Sequence, residues 1–189
     1  MDTLPSIALG IGLAAATGFR VFVPLLVAGL AARSGWIPLT DSFEWLAGTP
    51  ALLMLGTAAV LETAAYYIPG IDHILDILAG PFAMVAGVIA SASVMADLEP
   101  AILWPVAIIA GGGIAGVTKG GAALVRAKTS VATAGLGNPI VSTAETAGAT
   151  VVSVLAVLVP ILCLLAVIAF VVWVTRKLGS AFLRRRRAA

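Results

Sequence analysis

Residues 4–32 read LPSIALGIGLAAATGFRVFVPLLVAGLAA, and this run decides the fold class. It carries a single charge, Arg20, and has no polar face to turn toward water. A hydrocarbon core about 30 Å thick is crossed by roughly 20 apolar residues, so the run is long enough for a transmembrane helix and longer than one needs. Gly18, Arg20 and Pro24 interrupt its middle. Glycine and proline are tolerated at membrane depth where neighbours satisfy the freed backbone groups. The run is therefore expected to form one tilted helix, a broken helix or a re-entrant hairpin.

Four further apolar stretches follow, at residues 51–68, 80–96, 101–125 and 151–174. The fourth of the five is interrupted like the first, by Gly111, Gly112, Gly113, Gly116, Lys119, Gly120 and Gly121. Whole-chain composition agrees with this reading. Of 189 residues, 61% are hydrophobic and 11% charged, whereas a soluble domain uses about a quarter charged residues to cover its surface. The expected fold is an all-α, polytopic membrane bundle with five transmembrane segments, or six, some of them broken or re-entrant. Residues 1–175 form its single transmembrane domain, and residues 176–189 form a basic cytoplasmic tail.

The formal charge of +2 hides an asymmetry. Arg176, Lys177, Arg184, Arg185, Arg186 and Arg187 crowd the C-terminus. Basic residues beside a membrane helix mark the cytoplasmic side and contact anionic lipid, so the basic balance gives no reason to expect nucleic acid. Cys163 is the only cysteine, which excludes an intrachain disulfide. The first apolar run follows Asp2 rather than a basic segment, and is read as part of the mature chain rather than as a signal peptide.

The connections also carry expectations. Residues 33–50 read as an interfacial loop with Trp36 and Trp45, and residues 69–79 as a turn and a short amphipathic helix. Residues 126–150 read as a long, mildly polar linker in which Ser142 and Glu145 have capping-box spacing. Five crossings ending in a cytoplasmic tail place Arg126 and Lys128 outside, against the positive-inside rule. An extra crossing or re-entrant leg between residues 137 and 159 repairs this.

Ionisable residues inside apolar runs are costly and mark pathways or internal ion pairs. Arg20, Glu62, Lys119 and Glu145 form the candidate polar pathway, with Glu62 the expected counter-charge to Arg20 or Lys119. Asp72, His73 and Asp76 form a candidate cation or proton site. A metal there is undecided, because acidic residues also suit a helix N-terminus. Gly112, Gly116 and Gly120 form a helix-packing stripe. A faint echo links residues 12–17 with 113–118, each followed by a basic residue and later by Glu-Thr-Ala, at Glu62 and at Glu145. No nucleotide-binding loop, zinc-protease helix or serine elbow is present, so no enzyme and no cofactor is expected.

The ordered motifs resemble a bacterial membrane protein family, domain of unknown function 4126. They are Gly18-Phe19-Arg20 with Pro24, then Glu62, Ile68-Pro69-Gly70-Ile71-Asp72 with Asp76, and Ala134-Gly135-Leu136-Gly137-Asn138-Pro139 with Ser142. They cover most of the chain except the basic tail. The chain departs from the family pattern at Thr146, where the resemblance implies an acidic residue. The resemblance implies a small polytopic protein of the bacterial inner membrane and carries no activity with it. The residues themselves suggest a transporter or channel-like protein for a small solute or ion, forming a homo-oligomer through its glycine faces. The alternative is a non-transporting lipid-binding or membrane-complex assembly protein.

Overall fold

The computed structural model describes residues 3–68, 71–133 and 136–187, with the side chains at 71–74, 76, 175 and 177–187 outside that description. No strand occurs among the described residues. The helices are α1 (Thr3–Thr17), α2 (Phe22–Arg33), α3 (Thr49–Ala65), α4 (Ile71–Val94), α5 (Pro100–Val106), α6 (Gly113–Thr133), α7 (Asn138–Leu158) and α8 (Pro160–Arg187). A 3₁₀ turn, Asp41–Ala47, precedes α3, and a π-helical segment, Ala107–Gly112, joins α5 to α6.

The deciding run is two helices rather than one. Pro24 has no N–H to give to the carbonyl of Arg20, so a helix through this point would lose a bond and be kinked or broken, and here it breaks. Gly18 and Arg20 instead close the last turn of α1 through bonds to Ala15 and Ala16. Pro24 then sits in the first turn of α2, where its missing donor costs nothing. At the far end α2 stops on Gly35, the residue with φ of 73°. Its N–H donates to Ala32 (3.0 Å) and that of Trp36 to Ala31 (2.9 Å), the paired bonds of a glycine-terminated helix.

These two helices form a hairpin. Gly10 of α1 packs on Ser91 and Met95, while Thr17 donates to Ala83, so α1 runs antiparallel to α4. Gly12 meets Ala156 and Phe19 approaches Gly148, so α1 also opposes α7. Along α2 the order reverses: Val23 clusters with Ala149, and Val27–Ala31 face Val154–Leu158. After α2 the chain returns to where α1 began, with Thr40 donating to Ala92 and Ser93. Arg20 therefore lies at the hairpin tip, inside the bundle. At 15 and 12 residues the two arms are about 22 and 18 Å long, each short of a 30 Å core.

Three helical stretches are long and apolar enough to cross a membrane: Ile77–Val94, Pro100–Thr133 and Asn138–Leu158. Asp41–Ala47 with Thr49–Ala65, bent by 68°, gives a fourth if counted as one span. Large apolar side chains including Leu53, Met54, Ile77, Phe82, Ile109, Ile140, Leu162 and Leu165 point outward, as a bilayer allows and water does not. The interior is built from small residues. Gly111 abuts Gly87 and Ser91, which brings α4 and the π segment into backbone contact.

Several expectations change here. The helix expected from residue 80 starts at Ile71 and runs through Pro81, so residues 71–79 are not a separate surface helix. Residues 126–150 are no linker: α6 continues to Thr133, and α7 begins at Asn138 as a helix long and apolar enough to cross a membrane. Ser142 and Glu145 consequently lie within α7 and cap nothing. The glycine stripe is only partly a packing face. Gly112 and Gly116 face Val88 and Met84, whereas a Cβ on Gly120 would meet nothing. Gly120→Ala is accordingly expected to leave the melting temperature in detergent unchanged or slightly raised. Gly111→Ala, driven into Ser91 and the Gly87 carbonyl, should cost about 1–3 kcal/mol.

Candidate functional site at the hairpin tip

The site begins with the loss of helical bonding at residues 18–21. Two helix ends meet there, with carbonyls of α1 and N–H groups of α2 left over. The α2 end is closed from another helix. Glu62, on α3, accepts from the N–H of Val21 (2.9 Å) and of Phe22 (3.2 Å) with one carboxylate oxygen each. A carboxylate at a helix N-terminus is doubly favourable, since it satisfies orphan donors and opposes the helix dipole. This is the main contact of Glu62, where the sequence suggested a partner for Arg20 or Lys119; among the described residues no ion pair joins it to either. Glu62→Ala leaves both donors bare and is expected to lower stability by about 1–2 kcal/mol, read as an earlier unfolding midpoint, with Glu62→Gln intermediate.

Arg20 is 0% exposed. An arginine at membrane depth costs roughly 2.5–3.5 kcal/mol on insertion scales, and α7 supplies the compensation. Nε donates to Thr146 Oγ1 (2.9 Å), and Nη2 to Ser142 Oγ (2.6 Å) and to the Ser142 carbonyl (2.9 Å). Glu145 Oε2 lies 3.7 Å from Nη2, and Arg126 of α6 binds that same oxygen. The Tyr66 ring, at the end of α3, lies 4.2 Å from the Arg20 guanidinium and 4.4 Å from that of Arg126. Lys119 Nζ donates to the Tyr66 hydroxyl at 3.3 Å. Cation–π contact of this kind is strongest where water is excluded.

Thus Arg20, Glu62, Lys119 and Glu145, spread over 126 positions of sequence, do converge at one place. Arg126, Tyr66, Ser142, Thr146 and buried Thr118 join them. Arg126 was legible only as a misplaced basic residue, and Tyr66 lies one turn after Glu62 at the end of α3. Once α6 is long enough to include it, Arg126 lies seven residues, about two turns, beyond Lys119 and so on the same face of the helix. The side chains of Asp72, His73 and Asp76, the candidate cation site, lie outside the described residues, although their backbone forms the start of α4. Among the described residues no three potential ligands gather around a metal position. Lys177 and Arg184 to Arg187 continue α8 with side chains likewise outside the description, and Arg176 is exposed.

The arrangement uses the motifs in order: Gly18-Phe19-Arg20 and Pro24 make the tip, Glu62 caps it, and Ser142 receives Arg20. The family described as domain of unknown function 4126 matches residues 7–179. The chain belongs to that family. No curated protein and no solved structure matches it. In this family member Thr146, the departure from the expected acidic pattern, is a hydrogen-bond acceptor for Arg20 rather than a second negative charge. The two Glu-Thr-Ala segments noted in the sequence supply Glu62 and Glu145, which meet the hairpin tip from α3 and α7.

Two cavities adjoin the cluster. One of about 470 Å³ is almost wholly apolar and runs from Ala15, Phe19 and Thr118 out to Leu155 and Leu162. The other, about 530 Å³, reaches Arg126 past Ser130 and Asn138. Both fall in the size range of small-molecule sites.

Proposed function

We propose that this protein is a multipass transport protein of the bacterial inner membrane, moving a small solute or ion past the hairpin tip. The observation that supports this reading best is the placement of a fully buried Arg20 at a helix break, bonded to Ser142 and Thr146 of α7 and close to Glu145. Broken helices whose ends meet charged groups near the middle of the bilayer are the way many transporters build a site without unsatisfied backbone. The cavity that reaches Arg126 gives a route toward one mouth.

The proposed topology has five crossings, α3, α4, α5 with α6, α7 and α8, and a re-entrant hairpin of α1 and α2. In it Arg126, Lys128 and Arg176 share one side, which the positive-inside rule makes cytoplasmic together with the basic tail. The opposite end carries Trp36, Trp45 and Trp104, all exposed, which suits an interfacial aromatic belt. The tail would then lie against anionic lipid.

The test is osmotic. Protein reconstituted into vesicles is exposed to gradients of small anions, cations and neutral solutes, and re-swelling is followed by light scattering. Accelerated re-swelling for at least one solute is expected, with the rate returning to that of empty vesicles in Arg20→Lys. Equal rates in protein-containing and empty vesicles for every solute would refute transport.

A further inference from the structure

Building on the transport reading, we propose that the Glu145 carboxylate occupies the seat of the solute's own charged group, and that this group is a small oxyanion, a carboxylate or a phosphate. Arg20 holds three acceptors of α7 through Nε and Nη2, yet among the described residues nothing accepts from its buried Nη1. Glu145 Oε2 lies 3.7 Å from the Arg20 Nη2, beyond hydrogen-bonding range. A guanidinium prefers to grip a carboxylate with two parallel bonds. Here two guanidiniums face one carboxylate through a single oxygen, and its other oxygen, Oε1, has no hydrogen-bond partner among the described residues.

The idle groups are informative about ligand charge. Glu62 is committed to the N–H groups of Val21 and Phe22. Thr118, 1% exposed and packed on Gly18 at the same tip, has a hydroxyl without a partner among the described residues. Idle buried donors cost stability until an acceptor reaches them. Arg20 Nη1 and the Thr118 hydroxyl are donors, so the ligand they call for is an acceptor with more than one oxygen. A cation would instead need several idle acceptors, and among the described residues the site offers only Glu145 Oε1 and the neutral Thr118 hydroxyl, beside two guanidiniums that would repel it. An arriving oxyanion takes the place of Oε2 between the guanidiniums and uses the Nη1 donor that Glu145 does not reach. Glu145 then acts as an internal competitor that keeps the seat neutralised when no solute is bound.

Binding is measured apart from transport, as the shift in melting temperature of detergent-purified protein on adding acetate or inorganic phosphate, with chloride at matched ionic strength as reference. Stabilisation by at least one oxyanion over chloride is expected for the natural chain. Arg20→Lys, which keeps the charge and loses the fork, should lose that shift. Glu145→Gln should bind about tenfold more tightly, because the competing negative charge is gone. If that variant fails to fold, Glu145→Asp, whose carboxylate is drawn back by one methylene, should still bind more tightly than the natural chain. No difference between oxyanion and chloride in the natural chain and in the Glu145 variant would overturn the proposal. Nanodiscs of phosphatidylcholine with and without phosphatidylglycerol separate the other source of phosphate: stabilisation by phosphatidylglycerol with both free oxyanions inert would overturn the small-solute assignment. Oxyanion binding without any flux would sink the transport reading and leave the seat standing; flux of a neutral or cationic solute with no oxyanion shift would do the reverse.

Discussion

Arg20→Met is expected to destabilise the protein by about 3–5 kcal/mol, the usual result of removing one partner from a buried charged network. Methionine fills much of the space but accepts and donates nothing. Ser142 Oγ, Thr146 Oγ1 and the Ser142 carbonyl lose their donor together, and Glu145 keeps Arg126 while losing the second guanidinium. Tyr66 loses one of the cations against its ring. Because the hairpin tip is held to α7 by these bonds, the loss should show as a lower unfolding midpoint and as faster proteolysis within residues 18–22. A midpoint within about 0.5 kcal/mol of the natural chain, the range of an ordinary surface substitution, would mean that the network contributes little.

The second large effect comes from a residue with no side chain. A Cβ placed on Gly18 would lie 2.5 Å from Thr118 Cβ, 2.7 Å from the Ala115 carbonyl oxygen and 2.8 Å from the Lys119 nitrogen. Two of the three obstacles are backbone of α6 and cannot rotate away. Gly18→Ala must push the hairpin tip off α6, at a cost of about 1–3 kcal/mol for overpacking, and Gly18→Val more. The displaced tip carries Arg20 with it, so solute flux should fall with stability. Gly120→Ala on the same helix meets no neighbour and is the matched control. Equal midpoints for the Gly18 and Gly120 variants would contradict the close approach.

How much of this could be read from the chain follows from what the bilayer demands. Apolar runs report burial in hydrocarbon directly, which is why the all-helical architecture was legible. Helix ends were harder. Residues 126–137 carry Arg126, Lys128, Thr129, Ser130 and Thr133, which look like a linker, yet Thr129 and Thr133 return their hydroxyls to the carbonyls four residues back and stay helical. The break at residues 18–21 was visible in Gly18 and Pro24, but its angle was not: a kinked span and a hairpin share the same breakers, and packing against α4 and α7 chooses between them. The pairing of charges was the least legible. By sequence Glu62, inside an apolar run, is the expected counter-charge for Arg20 or Lys119. Only the arrangement in space sends Glu62 to backbone donors and Glu145 to the guanidiniums.

The claim on which the rest depends is that residues 4–32 enter and leave the membrane on one side, with Arg20 at the turn. With Cys163 replaced by serine, single cysteines at Thr3, Ser34, Lys128 and Arg176 can be labelled in intact cells and in inverted vesicles with a reagent that does not cross membranes. Thr3→Cys and Ser34→Cys are expected to react from the same side, and Lys128→Cys and Arg176→Cys from the other. Labelling of the Thr3 and Ser34 positions from opposite sides would show that the run crosses once, and would contradict the hairpin and the site built on its tip.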